Sequence, residues 1–274
     1  MIKIAISGSS LDHLIVDPDC QQEVGELKYL QTRALVLRSR TFSETDRLLT
    51  LLTWDEGKVT AKAPGARRIK SKLAAAVELF TCSSFLLYRG KTLFTVSQAQ
   101  MENCYSNLMV HLKDYARGLY FAELVDRLLP EGESNLPVFH LLQNAWAELE
   151  KGEVDRDLLT RFFELRLLLI LGFCPHCHNC VLCGDTGGPF YWNTAAGGIF
   201  CSHCRSPQQP GVSLSRGAHA LLTKLQQISG KELKTLRAPP LQQKELADFT
   251  ACFIQYWTDV GPFKSLSFME ELHK

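Results

Sequence analysis

Residues 47–63, RLLTLLTWDEGKVTAKA, decide the fold of the first part of this chain. Arg47–Thr53 and Lys58–Ala63 are short runs of Leu, Thr, Val and Ala, which suit a pleated, half-buried surface. Trp54-Asp55-Glu56-Gly57 joins them as a tight connection in which Gly57 can take the positive φ that such turns demand. The segment reads as a β-hairpin. Upstream, Arg33–Leu37 forms another strand; downstream, Glu78–Tyr88 and Thr92–Gln100 form a second hairpin around Arg89-Gly90-Lys91.

Five such strands within residues 29–107 suggest a small closed barrel. Of the five-stranded barrels, the OB-fold is the one that most often carries nucleic acid, although strand pattern alone also suits an SH3-like barrel or a sandwich. Charge adds a second argument. Residues 29–107 hold twelve basic and six acidic side chains, whereas residues 1–28 and 108–274 are both net negative. A segment that carries all of the positive excess is the sequence sign of a polyanionic partner. The densest cluster is Arg67-Arg68-Ile69-Lys70-Ser71-Lys72, which follows a Pro64-Gly65-Ala66 turn at a barrel rim. Four cations within six residues repel one another, and approaching phosphates relieve that repulsion. The expected DNA contacts are Arg38, Arg40, Lys62, Arg67, Arg68, Lys70, Lys72 and Arg89. Phe42, Phe80, Phe85, Tyr88 and Phe94 are available for base stacking, but most of them must fill the barrel.

After Tyr105 the hydrophobic period becomes helical. One helix runs through Leu112, Tyr115, Leu119, Ala122 and Leu129 and stops at Pro130. Asn135 before Pro137 starts a second, which reaches about Leu149. Asp155 caps a third, Arg156–Leu171, whose density of Leu and Phe implies burial nearly all round, and Gly172 closes it. Further helices lie near Ser215–Gln227 and Leu241–Val260.

Between the third helix and the next come two CxxC pairs, Cys180/Cys183 and Cys201/Cys204, separated by seventeen residues. That spacing suits a four-thiolate zinc site, which is coordinatively full and therefore structural. An iron–sulfur cluster is the main competing metal. Cys174-x2-Cys177-x2-Cys180-x2-Cys183 offers three overlapping pairs. The later one is preferred, because Gly184 lets its turn tighten until backbone N–H groups point at sulfur, whereas Pro175 restricts the earlier turn. The expected organisation is a 1–28 extension, a 29–107 barrel domain, and a 108–274 helical domain with a metal module inserted at 173–211.

The composition, 46% hydrophobic and 22% charged, is that of a globular protein. No apolar run approaches the roughly 20 residues needed to span a bilayer. Met1–Ser10 does not read as a signal peptide, and four cysteines at metal spacing argue for a reducing, cytoplasmic setting. Enzyme signatures are missing: Gly90-Lys91-Thr92 lacks the glycine that a phosphate-binding loop needs at the place of Phe85. No His is followed two places on by Glu, as a zinc deaminase requires. The alternatives to a DNA-binding protein are a zinc-containing nucleic-acid-processing enzyme and a basic scaffold for acidic proteins.

Five strings in order carry a family resemblance: ALVLRSRTFSETDRLLTLLT (34–53), GARR (65–68), LYFAELVDRLL (119–129), FELRLLLILG (163–172) and the Cys180–Cys204 module. The chain resembles the bacterial RecO recombination mediators from about Tyr29 onward. The resemblance implies an N-terminal OB-fold, a helical domain and a zinc-binding element. It also implies a protein that is not an enzyme but binds and anneals DNA, both single- and double-stranded, in the RecF pathway near the nucleoid. RecA loading, with RecR and the C-terminal tail of single-strand DNA-binding protein as partners, is implied as well. Pro64 departs from the pattern, since the family usually has a Lys or Arg there.

Overall fold

The computed structural model describes residues 28–258 and 261–271, so all but the last residue of the expected 1–28 extension lies outside the described residues. Five strands, β1 (Tyr29–Thr41), β2 (Arg47–Thr53), β3 (Gly57–Ala63), β4 (Thr81–Arg89) and β5 (Phe94–Cys104), close into a barrel in the order β1-β2-β3-β5-β4. β1 is far longer than the expected Arg33–Leu37 because it serves two partners. Its first half pairs with β4 and its second half with β2, across a bulge between Val36 and Arg38. Closure is thin: β3 and β5 meet in parallel at only Ala61↔Phe94 and Lys62↔Thr95.

Alternation sends Ala34, Val36, Leu49, Leu51, Phe85 and Leu87 into the barrel. Leu35, Leu37 and Leu52 point outward into a second, larger core shared with the helices. The Ala34–Leu37 run is therefore continuously apolar because both of its faces are covered. Gly57 takes φ +66 in the β2–β3 turn, and a Cβ there would lie 1.9 Å from the Glu133 carbonyl oxygen. Only glycine admits both the turn and the chain that crosses it. The fourth strand starts at Thr81, not Glu78, because Phe80 leaves the barrel with φ +60. Its ring packs against Trp146, with centroids 5.4 Å apart, over the space that Gly118 leaves bare.

The helices are α1 (Leu112–Leu128), α2 (Leu136–Lys151), α3 (Arg156–Ile170), α4 (Arg216–Gln227), the short α5 (Gly230–Leu233), α6 (Pro240–Thr258) and α7 (Lys264–Glu271). The expected caps are in place. Asn135 Oδ1 accepts from the Val138 N–H at 3.1 Å, and Asp155 Oδ1 accepts from the N–H groups of Asp157 and Leu158 at 3.0 Å. The last expected helix ends within the described residues at Thr258, while α5 and α7 are additions to the sequence reading.

The cysteine module holds a three-stranded sheet, β6 (Phe190–Asn193), β7 (Gly198–Cys201) and β8 (Val212–Leu214), in the order β7-β6-β8. Ile199, Phe200 and Cys201 belong to the same core as Trp146, Phe163 and Phe253. Barrel wall, helices and module thus share one apolar interior. Among the described residues, no helix is long and apolar enough to cross a membrane.

Candidate nucleic-acid interface and metal centre

The basic segment after β3 is held by the β1–β2 loop. Asp46 accepts from the Gly65 N–H at 2.8 Å and pairs with Lys62 Nζ at 2.9 Å. The Gly65 amide, together with Lys62 and Thr45, holds the Asp46 carboxyl well below the usual carboxylate range. Arg67 completes the stitch. Its backbone N–H donates to Thr45 O at 2.9 Å, and its guanidinium donates to Ser43 O and Glu44 O at 2.8 and 2.9 Å.

The eight cations expected to meet DNA fall into two groups. Arg38 pairs with Asp126 on α1, Lys62 with Asp46, and Arg89 with Glu56 at 2.8 Å; Arg67 is engaged by backbone carbonyls. Their charge is largely matched from within. Arg40, Arg68, Lys70 and Lys72 are exposed and have no side-chain partner among the described residues. Arg68, Lys70 and Lys72 crown the stitched loop, and Arg40 stands near the end of β1.

Two apolar side chains join them. Ile69, between Arg68 and Lys70, is fully exposed, and Phe42 is 51% exposed with Lys62 Nζ 5.7 Å from its ring centroid. The sequence reading counted Phe42 among several aromatics and did not single out Ile69. An apolar residue inside a run of cations was the available signal. Phe80 and Phe85 are buried, and Phe94 lies half-buried under the Arg89 guanidinium, 5.0 Å away. Tyr88 is exposed.

The structure brings the Sγ atoms of Cys180, Cys183, Cys201 and Cys204 within 4.8 Å of one another. Cys183 and Cys201 sulfurs are 3.6 Å apart, close to the ~3.8 Å edge of a tetrahedron with ~2.3 Å zinc–sulfur bonds. Gly184 takes φ +78 and donates its N–H to Cys180 O at 2.8 Å, which tightens the first turn. Burial pushes the Cys180 thiol up, but the N–H groups of Cys201, Cys183 and Leu182 outweigh it and bring the group down to about 6. Cys204 is pushed up to about 12 by its hydrogen bond with Cys183 and by burial. One ready thiolate among crowded thiols suits a divalent cation, which relieves the repulsion as the others deprotonate. Asp185 and His203 approach Cys201 as well, but not the other three thiols as a set. Cys177 is buried with its thiol raised by desolvation, and Cys174 is exposed and accepts from Gln226 Nε2 at 3.3 Å. Neither is part of the four-sulfur cluster.

Residues 27–105 match the family profile "Recombination protein O N terminal", and residues 110–267 match "Recombination protein O C terminal". The chain is 34% identical over 245 residues to the DNA repair protein RecO of Moorella thermoacetica, covering 88% of this chain and 91% of that one. It is 37% identical over 220 residues to the RecO of Heliobacterium modesticaldum, covering 78% and 80%. With the RecO of Alkaliphilus metalliredigens the identity is 31% over 244 residues, covering 89% and 99%. The chain belongs to the RecO family of DNA repair proteins.

Proposed function

We propose that this RecO-family chain is a non-enzymatic mediator of DNA repair and recombination that binds and anneals single-stranded DNA and, with RecR, assists RecA loading. The supporting observation is the loop bearing Arg68, Lys70 and Lys72, exposed and unmatched by carboxylates among the described residues, on a closed five-stranded barrel. Arg67 and Asp46 hold that loop in shape, so its cations are presented to phosphates without first having to be ordered. Annealing then requires no catalytic residue. Screening two strands from each other and raising their local concentration is sufficient. Duplex DNA offers the same phosphates and binds the same loop.

Zinc is the proposed metal, held by Cys180, Cys183, Cys201 and Cys204. Four thiolates leave it no open position, so when bound it cross-links the module and performs no chemistry on substrate. A partner carrying an acidic tail, as expected of single-strand DNA-binding protein, has a groove of about 870 Å³ where barrel meets helices. Leu37, Leu79, Leu119 and Phe268 line it, with Arg40 and Lys264 as exposed cations and with two carboxylates, Asp126 and Glu123, that are paired to Arg38 and Arg127. A cytoplasmic, nucleoid-associated location accords with this function.

The deciding experiment is a salt titration of binding to a labelled single strand. The logarithm of the affinity should fall with the logarithm of salt by about 0.7 per phosphate contacted. An affinity that is flat between low and moderate salt would refute phosphate recognition. Metal-dependent cleavage of the strand by pure protein would instead favour a zinc enzyme.

A further inference from the structure

Alternate residues of β1 share its outer face, so Tyr29, Gln31, Arg33, Leu35 and Leu37 lie in one row. Burial divides that row. Leu35 and Leu37 are covered and belong to the core shared with the helices, whereas Tyr29, Gln31 and Arg33 face solvent. β4 repeats the division: Cys82 is buried beside Gln143 of α2, Ser84 and Leu86 are half-exposed, and Tyr88 is exposed. The ladder sets Tyr29 opposite Tyr88, Gln31 opposite Leu86, and Arg33 opposite Ser84. On the far side of β4, Gln98 faces Leu86 and Gln100 faces Ser84. One end of this three-strand face carries the helical layer, and the other end is left bare by the described residues.

The bare end has a definite chemistry. The rings of Tyr29 and Tyr88 meet edge to face with centroids 5.3 Å apart, and they are 54% and 37% exposed. Next to them along the strands is a hollow of about 630 Å³ lined in part by Gln31, Ser84, Gln98, Gln100 and Lys72. No carboxylate among the described residues lines it, and Lys72 reaches it from the basic loop. The three glutamines have no side-chain hydrogen-bond partner among the described residues. A carboxamide both donates and accepts, which matches the mixed edges of nucleobases. An aromatic face stacks on any base. An apolar protein surface would bury these amides unsatisfied, and an acidic one would find only Lys72 unmatched, since Arg33 is paired with Glu102 at 2.7 Å.

We infer that the bare end of the β1–β4–β5 face seats the unpaired bases of a single strand whose phosphates are held by the Arg68–Lys72 loop. Tyr29 and Tyr88 supply the stacking surface, and Gln31, Gln98 and Gln100 satisfy base edges without selecting a sequence. This seat presupposes the DNA-binding function proposed above and adds to it a contact open to single strands alone, since bases in a duplex are already paired and stacked.

The test uses the full chain and three labelled probes of equal length: oligothymidylate, the same backbone with abasic sugars, and a blunt duplex. The wild type should bind oligothymidylate at least tenfold more tightly than the abasic strand. Tyr29→Ala/Tyr88→Ala should erase most of that ratio while leaving duplex affinity and the salt slope unchanged. Tyr29→Phe/Tyr88→Phe should restore it, and a thermal melt establishes that both variants are folded. Equal wild-type affinity for thymidylate and abasic strands would overturn the seat and leave the phosphate loop standing. Retention of the ratio in the alanine variant would place the base contacts elsewhere and also overturn it. Wild-type protein that binds none of the three probes would remove the broader function as well. Altered self-association of the alanine variant in sedimentation, with its DNA preference intact, would make the face a protein interface.

Discussion

Charges in the helical layer and charges on the basic loop obey opposite rules. In the layer, each buried charge meets an opposite one: Arg117 meets Asp157, Asp114 meets Arg156, and Arg161 meets Glu164. The last pair is also satisfied by neutral groups. Tyr120 and Thr250 hydroxyls donate to Glu164 at 2.7 and 2.6 Å, and Arg161 donates to Thr250 Oγ1 at 2.8 Å. Burial, reinforced by the neighbouring Glu164, raises the Tyr120 phenol well above its ordinary value, so it stays a donor. On the loop, Arg68, Lys70 and Lys72 have no carboxylate among the described residues. Matched cations are architecture, and unmatched ones on a rigid support are complementary to an anion that the protein does not contain.

The contrast can be broken at either end. The largest effect should come from Glu164→Ala, which strands the Arg161 charge in a dry interior and should cost about 3–5 kcal/mol in denaturant unfolding. A cost below about 1 kcal/mol would dissolve the distinction. Cys201→Ser should abolish zinc binding, measured by metal content, and destabilise the chain by on the order of 3 kcal/mol. That is less than the roughly 10–16 kcal/mol of isolated zinc fingers, because Ile199 and Phe200 remain in the shared core. Its salt slope on DNA should match wild type. Arg68→Ala/Lys70→Ala should change stability by no more than about 0.5 kcal/mol. It should reduce the salt slope by about 1.4, two contacts' worth, for every DNA sequence alike. A sequence-selective loss would contradict backbone recognition.

The smallest effect concerns acid. The Asp46 carboxyl is depressed in the folded chain, so its stabilisation is complete above the unfolded value of about 3.9 and is lost as pH falls toward the folded one. Hydrogen exchange at the Gly65 and Arg67 amides should therefore be more protected than in Asp46→Asn by a constant margin above about pH 4, and that margin should shrink as pH falls below it. Identical profiles for the two proteins would mean that the stitch does not hold the loop.

Much of the barrel was legible because its alternation and turns are local. Arg47–Thr53 was read to its ends, and Lys58–Ala63 to within one residue. What escaped the sequence depended on distant partners. β1 extends because two strands flank it, and Phe80 deserts its strand for a space left by Gly118. β6–β8 are short, and their core contacts lie on helices far along the chain, such as Trp192 against Phe249. The four clustered cysteines were legible from their spacing together with Gly184 and Pro175, which chose among the overlapping pairs. The division among the cations was not, because Asp126, which meets Arg38, sits on a helix that no local pattern places beside β1.

The barrel is a ring fastened by a two-toothed clasp, Ala61↔Phe94 and Lys62↔Thr95, and the cationic loop springs from the chain directly after it. The clasp's two rungs are far fewer than the seven or more that join every other neighbouring pair of strands in the barrel. The least-bonded joint of the hoop thus lies beside the turn with the densest positive charge.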